Sequence, residues 1–273
     1  MMGAPRTRMF LVLTSFKPRY PIINTTRIPQ MAQVKRNYDA KSLILAEVIY
    51  WVLWIVLLAL TAGGMKLLQF IHTGPYPFVN GVLLVIKFGI SFYISLLIVA
   101  WSLPKPKAGI HKTGSPEVKK WFINFQFAKI WNIPFIKHIL FSSFVLRPIF
   151  LRACGAKIPF DMAPSAFMRI NDPFMIEIGK GAVIGLDCMF AGHTFVGDKL
   201  ALMKVRVGEN CTIGAYSSLT AGATVGNNVV LGRGCTLYPL SKIPDNVKVG
   251  HSCHISQGTK IEPGSTIEPY TQT

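Results

Sequence analysis

A chain of 273 residues, 51% apolar and carrying a formal net charge of +17, has too much hydrophobic surface to be disordered and too high a hydropathy for an ordinary soluble domain. Residues from 171 onwards hold eight basic and eight acidic side chains, so the whole positive excess lies in 1–170, beside the apolar runs. Charge placed this way reads as attraction to anionic headgroups and as a topology signal, and no nucleic-acid module is visible. Five cysteines, an odd number with no CxxC pair, argue against a disulfide framework and against a zinc site.

Residues 1–40 form a basic arm dotted with Pro and Asn, whose one apolar run, Met9 to Leu13, is too short for a span or a signal peptide. Residues 41–103 predict a transmembrane helical hairpin. Its first limb, Leu43 to Leu60, has a single charge, Glu47, ends at Gly63-Gly64, and would be about 27 Å long, against a hydrocarbon core of roughly 30 Å. Its second limb, Val79 to Trp101, has only Asn80 and Lys87 as strongly polar interruptions, and the connection between the limbs has one basic residue, Lys66. Basic residues crowd the two outer flanks, so the positive-inside rule makes this a multi-pass membrane protein whose C-terminal domain faces the cytoplasm. Glu47 and Lys87 are expected to anchor at the interface or between helices.

Residues 104–150 are aromatic, basic and broken by prolines, with Trp121, Phe122, Phe125, Phe127 and Trp131 interleaved with Lys119, Lys120 and Lys129. They predict amphipathic helices lying at the membrane surface with rings at headgroup depth, and a re-entrant element over 133–151 is an alternative for part of them.

Residues 151–273 form the last domain, and from Val207 to Gln272 they fall into sixes. Every first position is Leu, Ile or Val (Val207, Ile213, Leu219, Val225 and onwards), and every fifth position is small or β-branched (Cys211, Ser217, Ala223, Val229 and onwards). Glycine fills the second position at 208, 214, 226, 232 and 250. A period of six suits neither an amphipathic helix nor an alternating strand; it is the mark of a parallel β-helix, in which aliphatic side chains stack coil upon coil. Cys188, Cys211, Cys235 and Cys253 all occupy fifth positions, where a thiol serves as a small core side chain and is expected to stay reduced.

The pattern resembles the left-handed β-helix of hexapeptide-repeat acyltransferases. The resemblance implies three hexapeptides per triangular coil, residues 18 apart stacked on one face, and a homotrimer with sites between subunits. The phrase from Leu151 to Ile158 is similar to the lead-in of such domains. Together with Pro104–Gly109 and the preceding helices, it also resembles the membrane-embedded C-terminal region of certain nonribosomal peptide synthetases. That second likeness implies an acyl or aminoacyl thioester delivered by a carrier protein, so the donor is an acyl-CoA or a carrier-bound thioester, used as co-substrate with no bound cofactor.

Hexapeptides also begin at Ile178, Ile184 and Phe190, after which the register fails: Phe190 to Val207 is one residue short of three sixes. A break in a solenoid is a loop thrown from one corner, where function is commonly placed. His193 stands just before it. In the family a single histidine at such a place takes the proton from an attacking hydroxyl or amine, a role suited to a side chain whose free pKa is near 6.5. His193 is therefore the candidate general base, with Asp198 or Glu177 as candidate orienting carboxylate. His251 and His254 lie two coils or more beyond His193, and no metal site is expected. Two functions follow: acyl or aminoacyl transfer from a thioester to an amine or hydroxyl, or a catalytically silent membrane scaffold that recruits a partner. The membrane partner in either case is lipid.

Overall fold

The computed structural model describes residues 40–273 apart from Thr73, Ser165 and Ala166. Of the basic arm predicted over residues 1–40, positions 1–39 lie outside the described residues. Two long helices come first, α1 (Ala40–Leu67) and α2 (Pro77–Ser102). Among the described residues these are the two helices long and apolar enough to cross a membrane, over Leu43–Leu67 and Pro77–Ser102. They touch at Thr61, whose Oγ1 donates to Ser95 Oγ at 3.3 Å, and Lys87 Nζ of α2 donates to the Ile71 carbonyl. Lys87 thus reaches the inter-helix connection.

The glycine pair expected to end the first helix does not do so; α1 continues to Leu67. The reason is packing. A Cβ on Gly64 would stand 2.9 Å from Ser91 Oγ, so glycine here permits close approach of α2.

The chain then forms a short strand (Gly109–Lys112) and three helices, α3 (Pro116–Trp131), α4 (Pro134–Ser142) and α5 (Leu146–Ala153). Ser115 caps α3 by accepting from Val118 N at 3.5 Å, and Pro116 occupies its first turn, where a missing N–H costs nothing. The rings expected at headgroup depth divide between two environments. Trp121, Phe127 and Trp131 are buried, the last two in the core that also holds Leu53, Leu57 and Leu96 of the long helices, while Phe125 stays exposed. α3 is therefore a structural layer between the long helices and the β-helix. α4 and α5 meet at a bend of 113°.

The predicted domain start at 151 falls inside α5, and the first coil begins at Lys157, which bridges to Glu177. Phe150 and Leu151 of α5 are fully buried in one continuous core with Ile158, Ile176 and Ile178, so the helix closes the open end of the solenoid.

Beyond it the strands stack into three parallel sheets of four, five and six strands. In the regular part, partners are 18 residues apart: Val207 with Val225 and Ile243, Ile213 with Leu231 and Val249, Leu219 with Leu237. The hexapeptide repeat and these sheets fit a left-handed β-helix. First-position side chains from Val207 to Ile255 are all buried, as are fifth-position side chains from Cys211 to Cys253. The five cysteines are free and buried. Only the last coil opens, with Ile261 and Ile267 partly exposed because nothing stacks on them.

A further regularity appears at the corners. The fourth residue of each hexapeptide from Val207 onwards has positive φ, supplied by Asn210, Asn228 and Asn246, by glycine at 222, 234, 258 and 264, by Ser252, and even by Tyr216, Leu240 and Tyr270. Asn tolerates this left-handed conformation well and the bulky residues do not, so the corner is imposed on them by the stacked coils. Second-position glycines answer to space. A Cβ on Gly232 would fall 2.6 Å from the backbone of Gly250 and His251 in the next coil. Gly232→Ala is accordingly expected to destabilise the β-helix by about 1–3 kcal/mol, read as a lowered unfolding midpoint.

Candidate active site

Two irregularities in the lower coils make the site. The first coil takes 20 residues rather than 18, since Ala163 pairs with Val183 and Arg169 with Met189. The extra length forms a turn of 3-10 helix, Pro173–Met175, immediately after Asp172. The second irregularity is the register break. Strand partners across it are 29 residues apart, Val183 with Thr212 and Met189 with Ser218, so eleven residues are added to one coil. They are not three shortened hexapeptides. They form an antiparallel hairpin of His193–Val196 and Lys199–Leu202, and Gly109–Lys112 adds a third strand on its outer side. Thr113 Oγ1 donates to the Asp198 carbonyl at the hairpin tip, tying the segment before α3 to the loop.

The hairpin rises from Gly192, which has no room for a side chain: a Cβ there would lie 2.3 Å from Met175 Cβ. This close approach brings the start of the hairpin onto the 3-10 turn. Asp172, 2% exposed, meets it. Its Oδ2 accepts from Gly192 N at 3.0 Å and lies 2.6 Å from His193 Nδ1, while its Oδ1 accepts from Trp121 Nε1 at 2.9 Å. Trp121 belongs to α3, so three separate segments converge on one carboxylate. The indole also packs edge-on against the imidazole at 5.1 Å between ring centres, and Phe195 joins the same cluster, 6.2 Å from the imidazole and 6.1 Å from the indole. Trp121, Met175, Leu200 and Leu202 form a small apolar core beneath the hairpin.

Burial pulls the His193 pKa down, but the hydrogen bond and the charge of Asp172 together outweigh it, and the net shift is upward from the ordinary histidine value. With Nδ1 committed to Asp172, the other nitrogen, Nε2, has no protein partner among the described residues and its ring stays partly exposed. An imidazole so held has a fixed orientation and one nitrogen available for proton transfer.

Neither expected orienting carboxylate pairs with His193. Glu177 is occupied by cations, with Lys204 Nζ at 2.5 Å, Arg206 Nε at 3.0 Å and Lys157 Nζ at 3.2 Å. Burial raises its pKa, but the hydrogen bonds from Lys204, Arg206 and Lys157 hold it at about 2. It braces one face of the β-helix where strands 176–178 and 205–207 pair. Asp198 lies between the two hairpin strands, at the end remote from His193. Asp172 and Trp121 were not legible as site residues. A signal did exist for Asp172: it precedes Pro173 at the point where the first coil exceeds the 18-residue period.

His251 and His254 pack against aromatic rings, Tyr270 at 4.7 Å and Tyr238 at 6.1 Å. Among the described residues no cluster of three or more His, Cys, Asp or Glu is placed to hold a metal ion.

Residues 204–239, within the stacked sixes, match the family model described as bacterial transferase hexapeptide, six repeats. Among solved structures the chain is similar to a maltose O-acetyltransferase from Clostridium difficile, with 17% identity over 58% of this chain and 87% of that one at a TM-score of 0.42. It is also similar to a hexapeptide-repeat acetyltransferase from Vibrio cholerae, with 14% identity over 50% and 89% of the two chains and a TM-score of 0.38. A variant of perosamine N-acetyltransferase from Caulobacter crescentus, solved with CoA and GDP-perosamine, matches at 18% identity over 44% and 55%, with a TM-score of 0.24. No curated protein matches the chain.

Proposed function

We propose that this protein is a membrane-anchored acyltransferase that moves an acyl or aminoacyl group from a thioester to an amine or hydroxyl acceptor, with His193 as general base. The observation that carries the reading is the buried Asp172 carboxylate on His193 Nδ1, which leaves Nε2 open beside the hairpin. In the reaction, the acceptor N–H or O–H gives its proton to Nε2 as its heteroatom attacks the thioester carbonyl carbon. The new C–N or C–O bond forms, the C–S bond breaks, and the imidazolium returns the proton to the leaving thiolate. Asp172 holds the ring in one tautomer and favours the imidazolium that forms in between. The donor is an acyl-CoA or a carrier-bound thioester, and the active form is a homotrimer, as the resemblance to hexapeptide acyltransferases implies.

The helices supply the anchor. The proposed topology passes α1 and α2 through the bilayer and leaves the β-helix in the cytoplasm, supported by basic flanks outside the pair and by the connection 68–76, which carries no Lys or Arg, Lys66 standing in the last turn of α1. The reading is tested with the purified full chain in detergent, offered acyl-CoA and acyl-pantetheine thioesters with amine and hydroxyl acceptors while free thiol is followed. Acceptor-dependent thiol release is expected, and its absence with every thioester favours the scaffold role. Topology is read separately. All five native cysteines are buried, so Lys66→Cys and Lys260→Cys in sealed inside-out vesicles should differ, with only the latter reacting with an impermeant maleimide. Equal labelling of both would remove the orientation.

A further inference from the structure

α1, α2, α4 and α5 enclose a groove of about 620 Å³ whose walls include Trp54, Phe88, Gly89, Phe92, Phe135 and Ile139. Its lining is apolar throughout apart from the Tyr93 hydroxyl, which is already spent on the Leu146 carbonyl at 2.9 Å. Along α2 it runs from Val85 to Leu96, about 16 Å by helical rise, within a helix of span length. At Phe135 it meets a second cavity of about 740 Å³. That cavity has a different chemistry. It lies between α4 and a corner of the lowest β-helix coils, where an apolar wall including Phe135 and Leu186 carries the polar and charged groups of Asn132, Lys137, His138, Arg169 and Asp187. Arg169 pairs with Asp187 at 2.9 Å, whereas Lys137, which lies over the Phe141 ring at 5.7 Å and feels the charges of both Arg169 and Asp187, makes no ion pair of its own among the described residues. The pair of cavities therefore offers an apolar slot ending at a net positive polar chamber.

We infer that this is a binding site for one anionic phospholipid, with an acyl chain in the groove and the phosphate at Lys137. A long apolar slot open to hydrocarbon favours an acyl chain, and two cations, Lys137 and Arg169, set against the single carboxylate of Asp187 favour an anionic headgroup over a zwitterionic one. The chamber is separate from the catalytic imidazole. Asn132 lines it from the C-terminal end of α3, eleven residues and about 16 Å along that helix from Trp121, which touches His193. The bound lipid is thus a fixed component of the membrane-facing layer and not the acyl acceptor at His193. The inference rests on the membrane reading above.

The test uses the full chain reconstituted in phosphatidylcholine vesicles containing a trace of phosphatidylglycerol, or of phosphatidylcholine, with a diazirine in the acyl chain. After irradiation, adducts are mapped by mass spectrometry. Phosphatidylglycerol is expected to label α2 around Phe88 and α4 around Ile139 at least fivefold more than phosphatidylcholine. Gly89→Trp should reduce that labelling at least fivefold by filling the groove, and a Cβ at Gly89 meets nothing within 4 Å, so the new side chain is accommodated. Lys137→Glu should bring phosphatidylglycerol labelling down to the phosphatidylcholine level while the groove remains open. Equal labelling by both lipids, insensitivity to both variants, or protein–protein adducts through the groove in place of lipid adducts would each overturn the inference, the last by making a second copy the occupant. Carbonate extraction of the same vesicles separates the two readings. Release of wild-type protein removes the membrane assignment along with the lipid site, whereas retained protein with diffuse labelling removes the lipid site alone.

Discussion

His193→Ala is expected to lower acyl transfer about 100- to 10,000-fold while the β-helix stays folded and keeps its oligomeric state, with stability reduced by no more than about 1–3 kcal/mol for the donor that Asp172 Oδ2 loses. The magnitude is that of losing a positioned general base, and the fold should tolerate the change because the ring is partly exposed at the foot of the hairpin rather than in the stacked core. The measurement is thiol release under saturating donor, paired with a thermal melt. If transfer persists at the wild-type rate, the proton is taken elsewhere and the assignment of His193 fails. Loss of both transfer and fold would show that the imidazole is structural. Glu177→Gln is the informative control: Glu177 serves Lys157, Lys204 and Arg206, so transfer should change by no more than about twofold, the size of effect seen when a surface ion pair is removed.

Asp172→Asn should come second in size, on the order of 100-fold or more, because an amide at this position no longer selects the productive tautomer or favours the imidazolium. Its distinguishing signature is a pH profile. A general base works as neutral imidazole, so kcat/KM should rise with pH through the His193 pKa, which lies above the ordinary histidine value in the native protein. Burial opposes that shift and only Asp172 produces it, so in Asp172→Asn the midpoint should move to lower pH as the residual rate falls. A carboxylate whose role was packing alone would lower stability and leave the midpoint where it was. The same linkage acts on folding. A histidine with a raised native pKa stabilises the fold at pH below its unfolded value, and that contribution is lost as pH rises through the native one. Trp121→Phe bears on the other oxygen of Asp172. It leaves Oδ1 buried without its donor, at a cost of about 1–3 kcal/mol, and should loosen His193 without removing it.

The Asp172 arrangement also explains why α3 matters to the chemistry. The helix is packed into the core shared with the long helices through Phe127, Ile130 and Trp131, and it delivers Trp121 to the carboxylate. The strand just before it, Gly109–Lys112, completes the sheet that carries His193. The segment between the two long helices and the β-helix is thus part of the site's scaffolding. A linker with rings simply lying on the bilayer would not hold an indole within 2.9 Å of a buried oxygen.

The hexapeptide columns could be read without coordinates because each position in a β-helix repeats the same environment. Leu219 and Leu237 meet identical demands one coil apart, so a local period encodes a stacking rule. The two long apolar helices were legible for a similar reason, since length and composition set whether a helix suits hydrocarbon. His193 was legible through a failure of pattern, standing where the period breaks. Its partner was not. Asp172 lies 21 residues earlier on another coil, and Trp121 lies 51 residues before that on a helix of different period. Only the folded chain sets the distance between groups so far apart, through the two extra residues of the first coil, the missing side chain of Gly192 and the packing of α3. The sequence by itself determined the solenoid and the apolar helices and singled out His193 as a candidate; the tertiary structure alone decided which carboxylate holds that histidine, because no repeat or composition constrains a contact between three unrelated segments.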